Sequence, residues 1–287
     1  MKIRLLGRDG QVAHALAARL GIGGLSRAEV DFERPDAPAK FVTPDIDVLI
    51  NAVAYTAVDA AEEDKARAYA VNAEALGYIG EAARKNDVLV VHYSTDYVFD
   101  GTAAGAYAET AATNPLSVYG ASKLEGERLL AASGARYIIL RTSWVYAPVG
   151  KNFPLTILRL ARERDALTVV ADQHGAPTPA SLIAEVTAQV IANPVPGLYH
   201  LAPTGETSWH GFAQLLIDEA GTAGADLKLK PEGIRAIPAA DYPTKAVRPA
   251  NSRLDTAKLQ STFGITLPPW QDGVRQLIAT LATEGRL

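Results

Sequence analysis

The sequence predicts an α/β protein, a doubly wound parallel sheet with a smaller C-terminal lobe. Three observations predict it. Short β-type apolar runs alternate with alanine- and leucine-rich helical stretches through the first half. A glycine turn follows the first of these runs. After Tyr146 the alternation gives way to sequence broken repeatedly by proline.

Each element has its own reason. Ile3–Leu6 is a short apolar run stopped by Gly7, as a strand buried on both faces would be, and Val12–Leu20 ("VAHALAARL") follows as a helix. The second strand is short, within Ile22–Ser26. "DVLINAVA" (Asp47–Ala54) is the next strand, and Val58–Ala83 is mostly helical. "DVLVVHYST" (Asp87–Thr95), a helix over Lys123–Ser133 and "RYIILRTSWV" (Arg136–Val145) complete the alternation. Beyond Tyr146, Leu155–Arg164 reads as a helix and Leu167–Ala171 as a short strand before "DQHGAPTPAS", with Pro194–Gly197 as another break. The expected division is a dinucleotide-binding domain over 1–146 and a mainly substrate-binding lobe over 147–287, some later segments returning to the first domain.

The balance of 28 basic against 32 acidic residues, with no long basic run, speaks against nucleic acid or an anionic membrane as partner. The absence of cysteine excludes disulfides, thiolate metal sites and cysteine nucleophiles. The N-terminus lacks a signal-peptide core, and no apolar run approaches the about eighteen residues of a membrane span, so a cytoplasmic protein is expected. The histidines lack ligand spacing with carboxylates, so no metal is expected. Glu125 and Glu127 read as a solvated helix face.

Gly7-x-x-Gly10-x-x-Ala13 lies between a strand and a helix. There the backbone can approach a pyrophosphate, and a helix N-terminus presents free N–H groups to it. In the first βα unit this reads as the dinucleotide turn of a Rossmann-type sheet, with an ordinary strand-to-helix glycine turn as the alternative. No acidic residue for the ribose 2′-hydroxyl is evident after the second strand. Ser26 and Arg27 stand there instead, and a hydroxyl with a guanidinium suits a 2′-phosphate, which favours NADPH and leaves NADH open. The alternative for Arg27 is a solvated loop cation. Asp31 and Phe32 follow within reach of the adenine, Phe32 by stacking.

Ser94, Thr95 and Asp96 bring hydroxyls and a carboxylate to the C-terminal end of a strand, where open α/β sheets bind ligands. A plain turn cluster is the alternative. Some 25 residues on, in "NPLSVYGASKLEGE", Tyr119 and Lys123 share one helical face at i and i+4. A phenol with pKa near ~10 is a poor acid–base at neutral pH. A neighbouring ammonium lowers that value, and the phenol can then protonate a carbonyl oxygen as hydride reaches its carbon. Arg248 in "VRPANSRL" has the planar fork that pairs with a diphosphate; a local ion pair is the alternative.

Gly7–Ala13, Asn51–Asp59, Ser94–Asp96 and Tyr119-x-x-x-Lys123 together resemble the extended short-chain dehydrogenases/reductases. "GRDGQV", "NAVAYTAVDAAE", "HYSTDYVFDG", "LRTSWVYA", "NFPLTILRLARER", "DQHGAPT", "GLYHL" and "RPANSRL" resemble, in order and from Met1 to about Gly273, the dTDP-4-dehydrorhamnose reductases within them. The resemblance implies NADPH-dependent reduction of the C4 keto group of a dTDP-sugar. It implies Gly10, Gln11 and Val12 at the cofactor pyrophosphate, Asp31 and Phe32 at the adenine, and Ala54, Tyr55 and Thr56 along the cofactor with Tyr93 nearby. It further implies Tyr119 as proton donor, Lys123 as its partner and Thr95 as the third catalytic group. Thr95, Asp96, Trp144 and Val58 would meet the nucleotide-sugar. Ala13 and Ser26 depart from the pattern, standing where the family has a third glycine and often an acid. His14-Ala15 offers no carboxylate for the metal-bridged dimer of some members, so a monomer or metal-free homodimer is expected. The alternatives are an epimerase or dehydratase of the same superfamily, or a non-catalytic dinucleotide-binding subunit. A dehydratase would carry an acidic pair beside its threonine, whereas Asp96 is followed by Tyr97.

Overall fold

The computed structural model describes residues 1–287. The chain opens as β1 (Ile3–Leu6), α1 (Gln11–Leu20), the two-residue β2 (Gly24–Leu25) and β3 (Val48–Asn51). The segment expected to be mostly helical is divided into α2 (Val58–Ala61), α3 (Lys65–Tyr69), a π-helical turn over Ala70–Glu74, and α4 (Ala75–Asn86). Then come β4 (Leu89–Thr95), α5 (Val118–Ala132), β5 (Tyr137–Thr142) and β6 (Val145–Tyr146). The predicted strand Arg136–Val145 is thus broken at Ser143-Trp144, because Trp144 adopts the left-handed conformation with φ of 50°.

The second half runs α6 (Phe153–Glu163), β7 (Leu167–Val170), β8 (His174–Gly175), β9 (Thr178–Pro179), α7 (Ala180–Ala192) and β10 (Gly197–His200). It ends with β11 (Thr207–Ser208), α8 (Trp209–Thr222), β12 (Ile234–Ile237), α9 (Ala257–Phe263) and α10 (Trp270–Thr283).

Six parallel strands form the main sheet in the order β10-β5-β4-β3-β1-β2. All seven residues of β4 are buried, as expected for a parallel strand covered on both faces. Strand alternation divides the core. Leu5, Val91 and Leu140 join Leu16 of α1 and Ile183 and Val190 of α7 on one face. Leu6, Val90 and Ile139 join Leu76 and Ile79 of α4 and Leu130 of α5 on the other. β10 and α7 therefore come from the second half of the chain but belong to the first sheet. A separate cluster around Tyr146, Ile157, Phe212, Trp270 and Val274 builds the lobe. No helix is long and apolar enough to cross a membrane.

The strand order reverses beside β1: the chain steps outward to β2 and then returns past β1 to β3. The C-terminal ends of β1 and β3 consequently diverge into a crevice, the switch point at which doubly wound sheets hold ligands.

Candidate active site

Gly7 ends β1 with φ of 104°, a conformation that favours glycine, and its N–H donates to the Leu25 carbonyl. Gly10 precedes α1, and a Cβ built on it meets no atom within 4 Å. The amides of Gln11, Val12 and Ala13 have no acceptor within the protein. An open helix N-terminus at a switch point fits a pyrophosphate. The Gln11 side chain turns away from the helix axis and accepts from Asn152 Nδ2 at 2.7 Å, tying the turn to the start of α6.

The end of β2 corrects part of the sequence-based expectation. An acidic residue is present after all, displaced a few positions. Glu29 Oε2 accepts from the Ser26 N–H (2.8 Å), the Ser26 hydroxyl (2.7 Å) and the Arg8 guanidinium (2.7 Å). These Ser26 hydrogen bonds hold Glu29 below its ordinary pKa. Arg27 is paired with Glu33, which also binds Arg67 at 2.7 Å. The Asp31 carboxylate accepts the Glu33 N–H and closes its own turn. Phe32 is 4% exposed and packs in the core beneath, so its ring is not an open stacking platform for adenine. Burial of a large aromatic outweighed the surface position inferred for it.

Beyond β3, the loop of Ala54, Tyr55 and Thr56 is held by a side chain that sequence reasoning missed. Asn72 Oδ1 accepts the Tyr55 N–H at 2.8 Å. Its Nδ2 donates to the Tyr55 carbonyl (3.1 Å) and to the Ser122 hydroxyl (3.0 Å). Asn72 lies in the π-helical turn, whose extra residue directs it inward. The Arg67 guanidinium lies over the Tyr55 ring, 5.5 Å from its centroid.

Tyr119 and Lys123 occupy the inward face of α5, whose N-terminus is capped by the Ser117 hydroxyl accepting the Gly120 N–H. Gly120 is required there: a Cβ would collide with the Tyr97 carbonyl. Tyr97 meets the Tyr119 ring edge to face at 5.5 Å. Burial pushes the Tyr119 phenol up to about 12, with the neighbouring Thr95 hydroxyl opposing and the Asp96 charge adding to the rise. The net direction is opposite to the lowering expected from Lys123: burial is the largest cause, and Lys123 is not among the groups that shift the phenol. Lys123 itself is 1% exposed, and burial brings it down to about 7. It donates to the Tyr93 carbonyl at 2.7 Å. Tyr93 thus serves the site through its backbone, its own phenol lying on the other face of the sheet, 2.8 Å from the Thr187 hydroxyl. Glu127, expected on a solvated face, is 5% exposed and forms a two-pronged pair with Arg141 at 2.8 and 2.6 Å.

At the end of β4, Thr95 Oγ1 accepts the Tyr97 N–H and donates to Asp96. Asp96 is 2% exposed, burial raises it to about 6, and one of its carboxylate oxygens has no partner. Trp144 stacks on Trp209, centroids 3.8 Å apart. Trp209, which the sequence did not single out, lines a cavity of about 820 Å³ in the lobe together with Phe153, Val169 and Arg248. Tyr119 and Thr95 are not in its wall. Arg248 connects the two places, since it lines the cavity and its charge acts on Tyr97. Arg248 also pairs with Asp59 of α2 at 2.7 Å, beside Val58, and so bridges lobe and sheet.

A glycine turn at the switch point of a parallel sheet, with a Tyr-x-x-x-Lys pair on the neighbouring helix, defines the class: a dinucleotide-binding α/β protein of the short-chain dehydrogenase/reductase kind. The model of the family described as RmlD substrate binding domain matches residues 1–283. A dTDP-4-dehydrorhamnose reductase of Salmonella typhimurium is 45% identical over 99% of both chains. That of Escherichia coli K12 is 44% identical over 99% of both. The solved dTDP-4-dehydrorhamnose reductase from Bacillus anthracis, in complex with NADP, is 29% identical with a TM-score of 0.90 over 98% of this chain and 100% of that one. A dTDP-glucose 4,6-dehydratase from Streptomyces venezuelae, 19% identical with a TM-score of 0.78 over 100% of this chain and 98% of its own, shares the fold. The chain belongs to the dTDP-4-dehydrorhamnose reductase family.

Proposed function

We propose that this protein reduces the C4 keto group of dTDP-4-dehydro-L-rhamnose with NADPH, giving dTDP-L-rhamnose for cell-surface polysaccharide synthesis. One observation carries the reading: Tyr119 and Lys123 share the buried face of α5, Thr95 lies close enough to the phenol to oppose the rise of its pKa, and Trp144 follows the end of β5. The family relationship supplies the substrate class.

NADPH, when bound at the open N-terminus of α1, supplies the hydride. Tyr119, held neutral by burial, keeps its proton until negative charge grows on the C4 oxygen, and donates it there. Thr95 Oγ1 orients the phenol and the sugar oxygen together. Lys123 fixes its ammonium under the phenol and stabilises the phenolate that remains. Asp96, beside Thr95, borders the sugar end of the site, and Trp144 covers the apolar face of the deoxysugar. Arg248 exchanges Asp59 for the diphosphate, and the lobe cavity takes the nucleoside. Binding energy from the nucleotide then holds the keto carbon in place.

In this reading 1–146, with α7 and β10, form the cofactor domain and most of 147–287 the substrate lobe. The enzyme works in the cytoplasm as a monomer or homodimer. The test is loss of reduced-nicotinamide absorbance on adding the dTDP-keto sugar. Stoichiometric consumption of NADPH is expected. Turnover without net consumption would identify an epimerase or dehydratase, and tight NADPH binding without turnover a regulatory subunit.

A further inference from the structure

Beneath Tyr119, β4 offers a second titratable side chain that the mechanism above does not use. His92 is 1% exposed, and its Nε2 lies 2.9 Å from Lys123 Nζ. Its Nδ1 faces Asn51 of β3, 3.3 Å from the side-chain Nδ2 and beside the Asn51 backbone. Asn51 is anchored in turn, because its Oδ1 accepts the Val53 N–H at 3.0 Å. Burial and the neighbouring ammonium push His92 well below 6.5, so the ring is neutral. A charged Lys123 offers only donors, so Nε2 faces it as the acceptor and the ring proton sits on Nδ1, toward the Asn51 backbone.

An ammonium has three N–H groups on a flexible four-carbon stem. The Tyr93 carbonyl takes one at 2.7 Å and His92 Nε2 a second, both from the same strand. The third remains for Tyr119 and the cofactor side. We infer that His92 is a positioning residue for Lys123: braced by Asn51, its imidazole accepts from the ammonium and aims the remaining N–H at the reacting groups. This rests on the assignment of Tyr119 and Lys123 above.

The charged and titratable groups around Lys123 are few. Glu127 and Tyr119 share its helix, Glu127 is neutralised by Arg141 of β5, Asp96 stands by Thr95 and Tyr119, and β3 contributes the uncharged Asn51. A buried ammonium that loses an acceptor releases its proton more readily.

The experiment compares His92→Phe and His92→Gln with wild type, reading kcat against pH and, separately, NADPH affinity by direct binding. His92→Phe is expected to lower kcat by about 10- to 100-fold. Its alkaline limb should move to lower pH, with weaker NADPH binding. His92→Gln keeps a carbonyl acceptor and should recover most of the turnover with the limb unmoved. If the Phe variant does not fold, the Gln variant decides: near wild-type turnover and affinity support the assignment, and a large loss overturns it. A Phe variant with wild-type kcat, limb and affinity overturns it, as does a Gln variant as impaired as Phe. Failure of the wild type to oxidise NADPH with the dTDP-keto sugar would instead reject the proposed reaction, and the affinity measurements would still judge His92.

Discussion

Tyr119 illustrates how burial sets the working form of a side chain. With its pKa pushed up to about 12, the phenol is protonated at neutral pH, the form a reduction needs. Tyr119→Phe should therefore lower kcat by about 10²-fold or more while leaving NADPH affinity within a few-fold, as steady-state kinetics and direct binding would show. Arg248 is expected to act through binding: Arg248→Leu should raise KM for the dTDP-sugar about 10-fold or more, with a smaller effect on kcat. Glu29 belongs to a different question. Its carboxylate holds Ser26 and Arg8, the donors that a 2′-phosphate would need, and it adds a like charge. Glu29→Gln should raise kcat/KM for NADPH relative to NADH by about 3- to 10-fold, and an unchanged ratio would remove Glu29 from cofactor choice.

At the scale of elements, the site depends on how α5 lies against its neighbours. Gly126 on α5 lets the helix approach the π-helical turn, where a Cβ would overlap the Asn72 carbonyl. Gly126→Ala should cost about 1–3 kcal/mol, read as a lower urea midpoint. The same change should weaken NADPH binding, because Asn72 carries the Tyr55 loop. The break after β5 is a second such feature. Trp144 holds φ of 50°, costly for a bulky residue, and is kept there by stacking on Trp209 and by the close approach of Gly175. Without that turn the ring would continue along the strand, away from the lobe.

For the molecule as a whole, buried ionisable groups link the site to stability. Lys123 has a folded value of about 7 against an ordinary 10.5, so between these values the unfolded chain binds more protons. Stability should then rise with pH from about 7 towards 10, above which the buried tyrosines, raised by burial, act in the opposite sense. Thermal unfolding of the cofactor-free protein across this window should show the rise, and Lys123→Met should flatten it. His200, lowered to about 3 by burial, favours unfolding as pH falls from 6.5, while Asp96, raised to about 6, acts the other way between 6 and 3.8.

The sequence by itself determined the parallel sheet, the glycine turn, the Tyr119–Lys123 face and the family. These rest on local signals: strand-length apolar runs, glycine at a positive φ, and helical spacing. Glu29 was missed because the acid stands in the turn beyond β2 rather than at the end of the strand, and Glu127 was misplaced because its partner Arg141 is on another element. Phe32 in the core, Asn72 under Tyr55, His92 under Lys123 and Trp209 behind Trp144 were decided only by tertiary structure. Each is a contact between segments far apart in the chain. Burial fixed their partners and protonation states, and no local pattern of residues encodes burial.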